Sequence, residues 1–178
     1  MQLKISKTLE SVLARAAFNT AKAGVTHSLK DHLALELLRE EGALAYQLLS
    51  AQLKDWEVYQ IRLRIERDIA AVQPSERLDP ETFYRGFGDE LREKSGAVRS
   101  ISTAHALLLI VSDPATVTAR TLEMYGVTAD SLAAELQKFA VGDDFRTEVQ
   151  VHLFDFSSAN RPDEPQQEHL LDKFGVNL

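Results

Sequence analysis

Ile101-Ser102-Thr103-Ala104-His105-Ala106-Leu107-Leu108-Leu109-Ile110-Val111 is the stretch on which the fold turns. Ser102-Thr103 opens an apolar helix that runs through Val111. Its apolar run, broken only by His105, is far short of the ~20 residues that cross a bilayer. The same pattern stands 73 residues earlier, since His105 falls on His32 (105 − 32). Leu108 then falls on Leu35, Val117 on Leu44 and Leu122 on Leu49. With one residue more, Val127 falls on Leu53 and Leu132 on Val58. Upstream, Phe83 meets Leu9, Phe87 meets Leu13 and Leu91 meets Ala17. The chain is therefore an internal repeat. Each half holds a long helix, a histidine-bearing helix, a short helix and a last helix.

Local signals place these helices. Ser6 caps the first, from Ser6 to Lys22, with Leu9, Val12, Leu13, Ala16, Ala17 and Thr20 on one face, and Gly24 is a suitable stop. The second runs from about Leu29 to Glu40, with Leu33, Ala34, Leu37 and Leu38 inward, and Gly42 breaks it. A short third carries Leu44, Leu48 and Leu49. In the fourth, from about Asp55 to Ile69, Trp56, Tyr59, Leu63 and Ile69 are expected inward, with Arg62, Arg64, Glu66, Arg67 and Asp68 on a solvated face. Val72 to Leu78 is a connection. Asp79-Pro80 opens the fifth helix, because proline suits the first turn, where its missing N–H is not needed. Asp113-Pro114 repeats that signal for the seventh, which stops at Gly126. Thr128 caps the last, with Leu132 and Leu136 inward. Beyond Phe139, Val149, Val151 and Leu153 alternate with polar residues as in a strand. Ser157 to Glu168, with Pro162 and Pro165, reads as a linker.

The fold class is thus all-α: eight helices in one body over residues 1–140 (repeats about 6–72 and 79–140), then a tail over 141–178. Hydrophobic residues make up 44% of the 178 and charged residues 26%, an ordinary globular composition. The net charge of −7 gives no bulk positive field for nucleic acid or anionic membranes. Absent cysteine removes disulfides, thiolate metal sites and thiol nucleophiles. The N-terminal residues lack a secretory layout, so a cytoplasmic protein is expected.

The repeat also carries a family resemblance. Ile101 to Val111 resembles the Gly-Thr-Glu-His-Leu-Leu-Leu helix start of the Clp N-terminal domain, the double-repeat recognition module of Clp-family AAA+ unfoldases. Leu122-Glu123-Met124-Tyr125-Gly126-Val127 is similar to its Leu-x-x-x-Gly-Val, and Lys30-Asp31-His32-Leu33-Ala34-Leu35 matches more loosely. Leu171-Asp172-Lys173-Phe174-Gly175-Val176-Asn177-Leu178 resembles the segment just ahead of the first ATPase module in these proteins. The resemblance covers Ser6 to Phe139 and again from Leu170. It implies a non-catalytic domain that captures protein substrates or adaptors for an attached ATPase, of ClpC type with a protease or of type VI secretion ClpV type with a sheath-protein helix. No cofactor is then expected here, ATP and Mg belonging to the ATPase module. A stand-alone adaptor and a small helical enzyme or small-molecule binder stay open as other readings.

Some ClpC-type relatives hold a phosphoarginine pocket in each repeat, an acidic residue taking the guanidinium and a capped helix start the phosphate. On this resemblance the first-repeat positions are Asp31 and Ser6. In the second, Ala104 has no charge and Asp79 would repel a phosphate, so no binding is expected there. The substrate- or adaptor-contacting positions become Ser6, Lys30, Asp31, Asp79, Phe83 and Thr103. Phe83, Tyr84, Phe87 and Trp56 are the aromatics a peptide groove would use, although such residues ordinarily join the core. His32 and His105 read as structural, each beside a helix start with backbone groups in reach. There is no Gly-x-x-x-x-Gly-Lys-Ser/Thr phosphate loop, no Gly-x-Ser-x-Gly elbow and no His-x-x-x-His pair, so neither catalysis nor a metal is expected.

Overall fold

The computed structural model describes residues 4–73, 77–95 and 100–141. Among them the architecture is all-helical apart from one two-residue strand pairing. In chain order the elements are β1 (Lys4–Ile5), α1 (Lys7–Ala23), α2 (Leu29–Arg39), α3 (Leu44–Ser50), α4 (Asp55–Ala70), α5 (Pro80–Ser95), β2 (Ser100–Ile101), α6 (Thr103–Val111), α7 (Val117–Met124) and α8 (Ala129–Val141). The alternating Val149–Leu153 segment and the linker lie outside the described residues.

The two histidine-bearing helices form the centre. Every residue of α6 is buried, and α2 buries Leu29, Asp31, Leu33, Ala34, Leu35, Glu36, Leu37 and Leu38. A helix apolar all round must be covered on all sides. Accordingly α6 touches α1, α2, α3, α5, α7 and α8. β1 and β2 pair in parallel, Ile5 opposite Ile101. The Ser6 N–H extends the ladder by donating to the Ile101 carbonyl at 2.8 Å. The chain segments entering α1 and α6 are thereby tied together.

Local chemistry accounts for most helix ends. Ser6 accepts the Leu9 N–H at 3.1 Å, Asp79 accepts the Thr82 N–H at 2.9 Å and Thr128 accepts the Ser131 N–H at 3.1 Å. Gly24, at φ +73°, ends α1 in the left-handed region, which costs glycine nothing. One start lies elsewhere than expected. α7 begins at Val117 under a Thr116 cap. Asp113-Pro114 forms a turn instead, with the Asp113 carboxylate accepting the Ala115 N–H at 3.0 Å. An aspartate can close an Asx turn as readily as it caps a helix.

The inward face of α4 is also different. Ile69 is buried as expected, but its buried neighbours are Val58, Ile61 and Ile65, whereas Trp56, Tyr59 and Leu63 are 60%, 50% and 40% exposed. Both sets recur at helical spacing, so periodicity alone does not choose between them. α4 seats its aliphatic stripe among α2, α3 and α7.

The repeat is visible in the element starts. α1 and α5, and likewise α3 and α7, begin 73 residues apart (80 − 7; 117 − 44), while α4 and α8 begin 74 apart (129 − 55). The buried layer of the long helices runs at a further shift. Leu9, Val12 and Ala16 correspond in burial to Tyr84, Phe87 and Leu91, an offset of 75 (84 − 9). Tyr84, rather than Phe83, therefore enters the core.

Candidate functional site

The six positions singled out by the sequence are mostly spent inside the protein, and several of them join its halves. Asp31, 3% exposed, stands in the first turn of α2. Its carboxylate accepts the Thr118 N–H at 2.8 Å, the Thr118 hydroxyl at 2.7 Å and the Val117 N–H at 3.3 Å. It thus caps the N-terminus of α7, where a negative charge also faces the positive end of the helix. Thr103, in the first turn of α6, returns the arrangement by accepting the Ala45 N–H at the start of α3 at 3.0 Å. Each central helix therefore caps the short helix of the other half. Neither side chain is open to a ligand: the carboxylate that a guanidinium would need is turned inward and carries three hydrogen bonds.

Lys30 works at the same junction, its Nζ lying 3.0 Å from the Asp113 carboxylate. Burial works against the Asp113 charge, but the Ala115 N–H and Lys30 together hold its carboxyl below the usual range. Tyr84 donates its hydroxyl to the Leu29 carbonyl at 2.6 Å, and burial pushes that phenol up. Asp79 is exposed and held below its usual pKa by the Thr82 N–H and hydroxyl, as a cap should be. Ser6 is buried as the cap of α1. Phe83 is half-buried, its ring edge-on to Tyr84 at 5.2 Å and stacked near Phe87 at 6.4 Å.

His105 could be mistaken for chemistry. The Ser102 hydroxyl is 3.1 Å from its Nδ1, as in a nucleophile–base pair. Both residues are fully buried, however, and the Ser102 Oγ accepts the Ala104 N–H at 3.1 Å. Nδ1 accepts the Ser102 N–H at 2.8 Å. This is a capping box with imidazole in place of the usual carboxylate. Nδ1 must stay unprotonated, and burial drives the His105 pKa well below its ordinary value. Half-buried His32 is lowered too, chiefly by desolvation and despite Asp31. His32 has no such capping role, since α2 follows Ser28 without a side-chain cap.

A pH dependence follows with a definite sign. Below about pH 6.5 the unfolded chain takes up protons that the folded His105 and His32 refuse. Stability is full above that pH and falls as the pH drops. Asp79 and Asp113 add a further loss only below the ordinary carboxyl range near 3.8. Thermal melts should show a Tm that declines from pH 7.5 to pH 5. His105→Gln keeps an acceptor for the Ser102 N–H and should flatten that decline. A Tm independent of pH over this range would refute the assignment.

Beside α1 lies a shallow polar depression of about 250 Å³ lined by Lys7, Thr8, Ser11, Arg15 and Glu40. Its guanidinium is already engaged, Arg15 meeting Glu40 at 2.8 Å and Glu36 at 3.3 Å. Among the described residues, no cluster of three or more His, Asp or Glu side chains could hold a metal. No helix there is long and apolar enough to cross a membrane.

The outer face of α4 carries exposed apolar side chains. Trp56, Tyr59 and Leu63 lie at i, i+3 and i+7, and the Arg62 guanidinium sits over the Tyr59 ring at 5.2 Å. Phe18 and Met124 are the other strongly exposed large apolar residues described. No protein-family model matches this sequence, and no curated protein or solved structure matches it either.

Proposed function

We propose that the chain is a protein-recognition domain of a Clp-family AAA+ unfoldase, acting in the cytoplasm to hold substrates or adaptors close to an ATPase ring. The observation that carries this reading is the repeated four-helix unit, whose helix starts recur 73 or 74 residues apart. The unfoldase-like segment from Leu171 to Leu178 supports it. Tethering does the work: a captured protein is kept at high local concentration beside the pore, and the ATPase supplies the force. The burial of Asp31 favours protein surfaces over phosphoarginine as the ligand, within either a protease-linked or a secretion-linked parent.

The test uses the full-length protein with and without residues 1–141. ATP hydrolysis should survive the deletion, while unfolding of adaptor-delivered substrates should fall by about tenfold or more, as expected when a tethered site is lost. Unfolding that is indifferent to the deletion would overturn the reading. So would ATP turnover by residues 1–178 alone.

A further inference from the structure

We infer that the outer face of α4 pairs, antiparallel, with the same face of a second copy of this chain, in a weak two-fold interface. The inference goes beyond the recognition reading and does not depend on it.

The repeat supplies an internal comparison. α8 is the counterpart of α4, 74 residues on, so Trp56, Tyr59 and Leu63 correspond to Asp130, Ala133 and Gln137. Asp130 and Gln137 are exposed, as on an ordinary solvated helix face. This place in the fold therefore does not call for apolar side chains. α4 nevertheless shows solvent a tryptophan, a tyrosine and a leucine, at a cost of about 25 cal/mol per Å² that a covering surface would recover.

The charges of α4 fit a second copy better than a partner of either sign. Both signs are present, but they are ordered along the axis. Asp55 and Glu57 stand in the first turn, and Arg62, Arg64 and Arg67 in the later ones, beside Glu66 and Asp68. A copy running the other way sets the acidic turn of each helix against the arginines of the other. Glu57 and Arg64 are seven residues apart, so they border the stripe on the same side, about two turns or 10 Å from each other. A two-fold axis through the middle of the stripe brings Glu57 opposite Arg64 of the other copy, twice. Trp56 then falls between Leu63 and Arg67 of the other copy, and Tyr59 falls beside its Arg62, whose guanidinium already covers a Tyr59 ring within one chain. Glu57 gives only its Oε1 to the Lys54 N–H, at 2.9 Å. Arg64 meets Asp68 at 3.8 Å. The like-charged meeting on the other border is Asp55 with Glu66, and Glu66 is drawn aside to Arg39 at 2.8 Å. Two helical turns per copy bury less than the ~1,200 Å² of stable complexes, so the dimer is weak and transient.

Sedimentation of residues 1–178 should show a monomer–dimer equilibrium as the concentration approaches about 1 mM. Trp56, the one tryptophan, should shift its emission to the blue in step. Arg64→Glu and Glu57→Arg should each weaken the dimer about tenfold, since each places like charges together twice. An equimolar mixture of the two variants should dimerise like the parent, because both contacts then join opposite charges again. Glu57→Arg also disturbs the start of α4, and recovery in the mixture is a result that a lost cap cannot produce. Leu63→Glu, at an exposed position, should abolish the dimer with the helical circular dichroism unchanged. A monomer at about 1 mM, or a mixture no better than either variant alone, overturns the inference. So does a Trp56 shift that is independent of concentration and vanishes when residues 142–178 are removed, which would make the tail the occupant.

Discussion

Replacing Asp31 with alanine should destabilise the protein by about 3 kcal/mol, because the change strands buried donors that a charged acceptor had satisfied. For a body of this size that corresponds to a drop in Tm of roughly 10 °C. Three donors at the start of α7 lose their acceptor together. Water cannot replace it readily, because the carboxylate and Thr118 are both buried. Asp31→Asn keeps an oxygen at the site but loses the charge facing the helix terminus, and should cost about half as much. Thr103→Val removes the reciprocal but neutral cap and should cost about 1 kcal/mol. Chemical denaturation of the three variants would rank them. An Asp31→Ala protein as stable as the parent would mean that the carboxylate is not the cap of α7.

Cutting the chain between its repeats should have a larger effect still. Residues 1–73 alone, and residues 77–178 alone, are expected not to fold. The repeat suggests two four-helix domains, but the packing does not divide that way. α6 belongs to the second half and is covered on one side by α1, α2 and α3 of the first. α4 of the first half lies against α7 of the second, and α1 lies against α5. Each fully buried Leu or Ile contributes about 1.5–3 kcal/mol. Exposing part of a core that includes Leu107, Leu108, Ile110, Leu33, Leu37 and Leu48 would exceed the usual total stability of about 5–15 kcal/mol. The cut would also remove the Thr103 cap of α3 and the Asp31 carboxylate from the start of α7. Each piece should give a weak helical signal without a cooperative melt, and mixing the two should restore both. A cooperative transition in either piece alone would show that the halves are independent domains.

The same junction explains why the candidate site was harder to read than the fold. Asp31, Lys30 and Thr103 were singled out as contacts for a ligand. Their actual partners are Thr118, Asp113 and Ala45, distant in the chain by 87, 83 and 58 residues. A polar residue in the first turn of a helix looks the same from its neighbours whether it faces a ligand, water or another helix start. Trp56, Tyr59 and Leu63 were misplaced for a related reason. α4 carries two apolar stripes at helical spacing, and the large aromatics drew the inward assignment. Val58, Ile61 and Ile65 meet the neighbours instead, alongside the expected Ile69.

The number and order of the helices, their caps at Ser6, Asp79 and Thr128, and the repeat were all legible along the chain. They depend on groups within four residues of one another: an orphan N–H and a nearby oxygen, or an apolar period of 3.6. Which stripe of α4 faces in, which carboxylate is buried and how the halves share one core depend on residues brought together from far along the chain. Burial and long-range hydrogen bonding exist only once those residues meet, so they belong to the packed molecule.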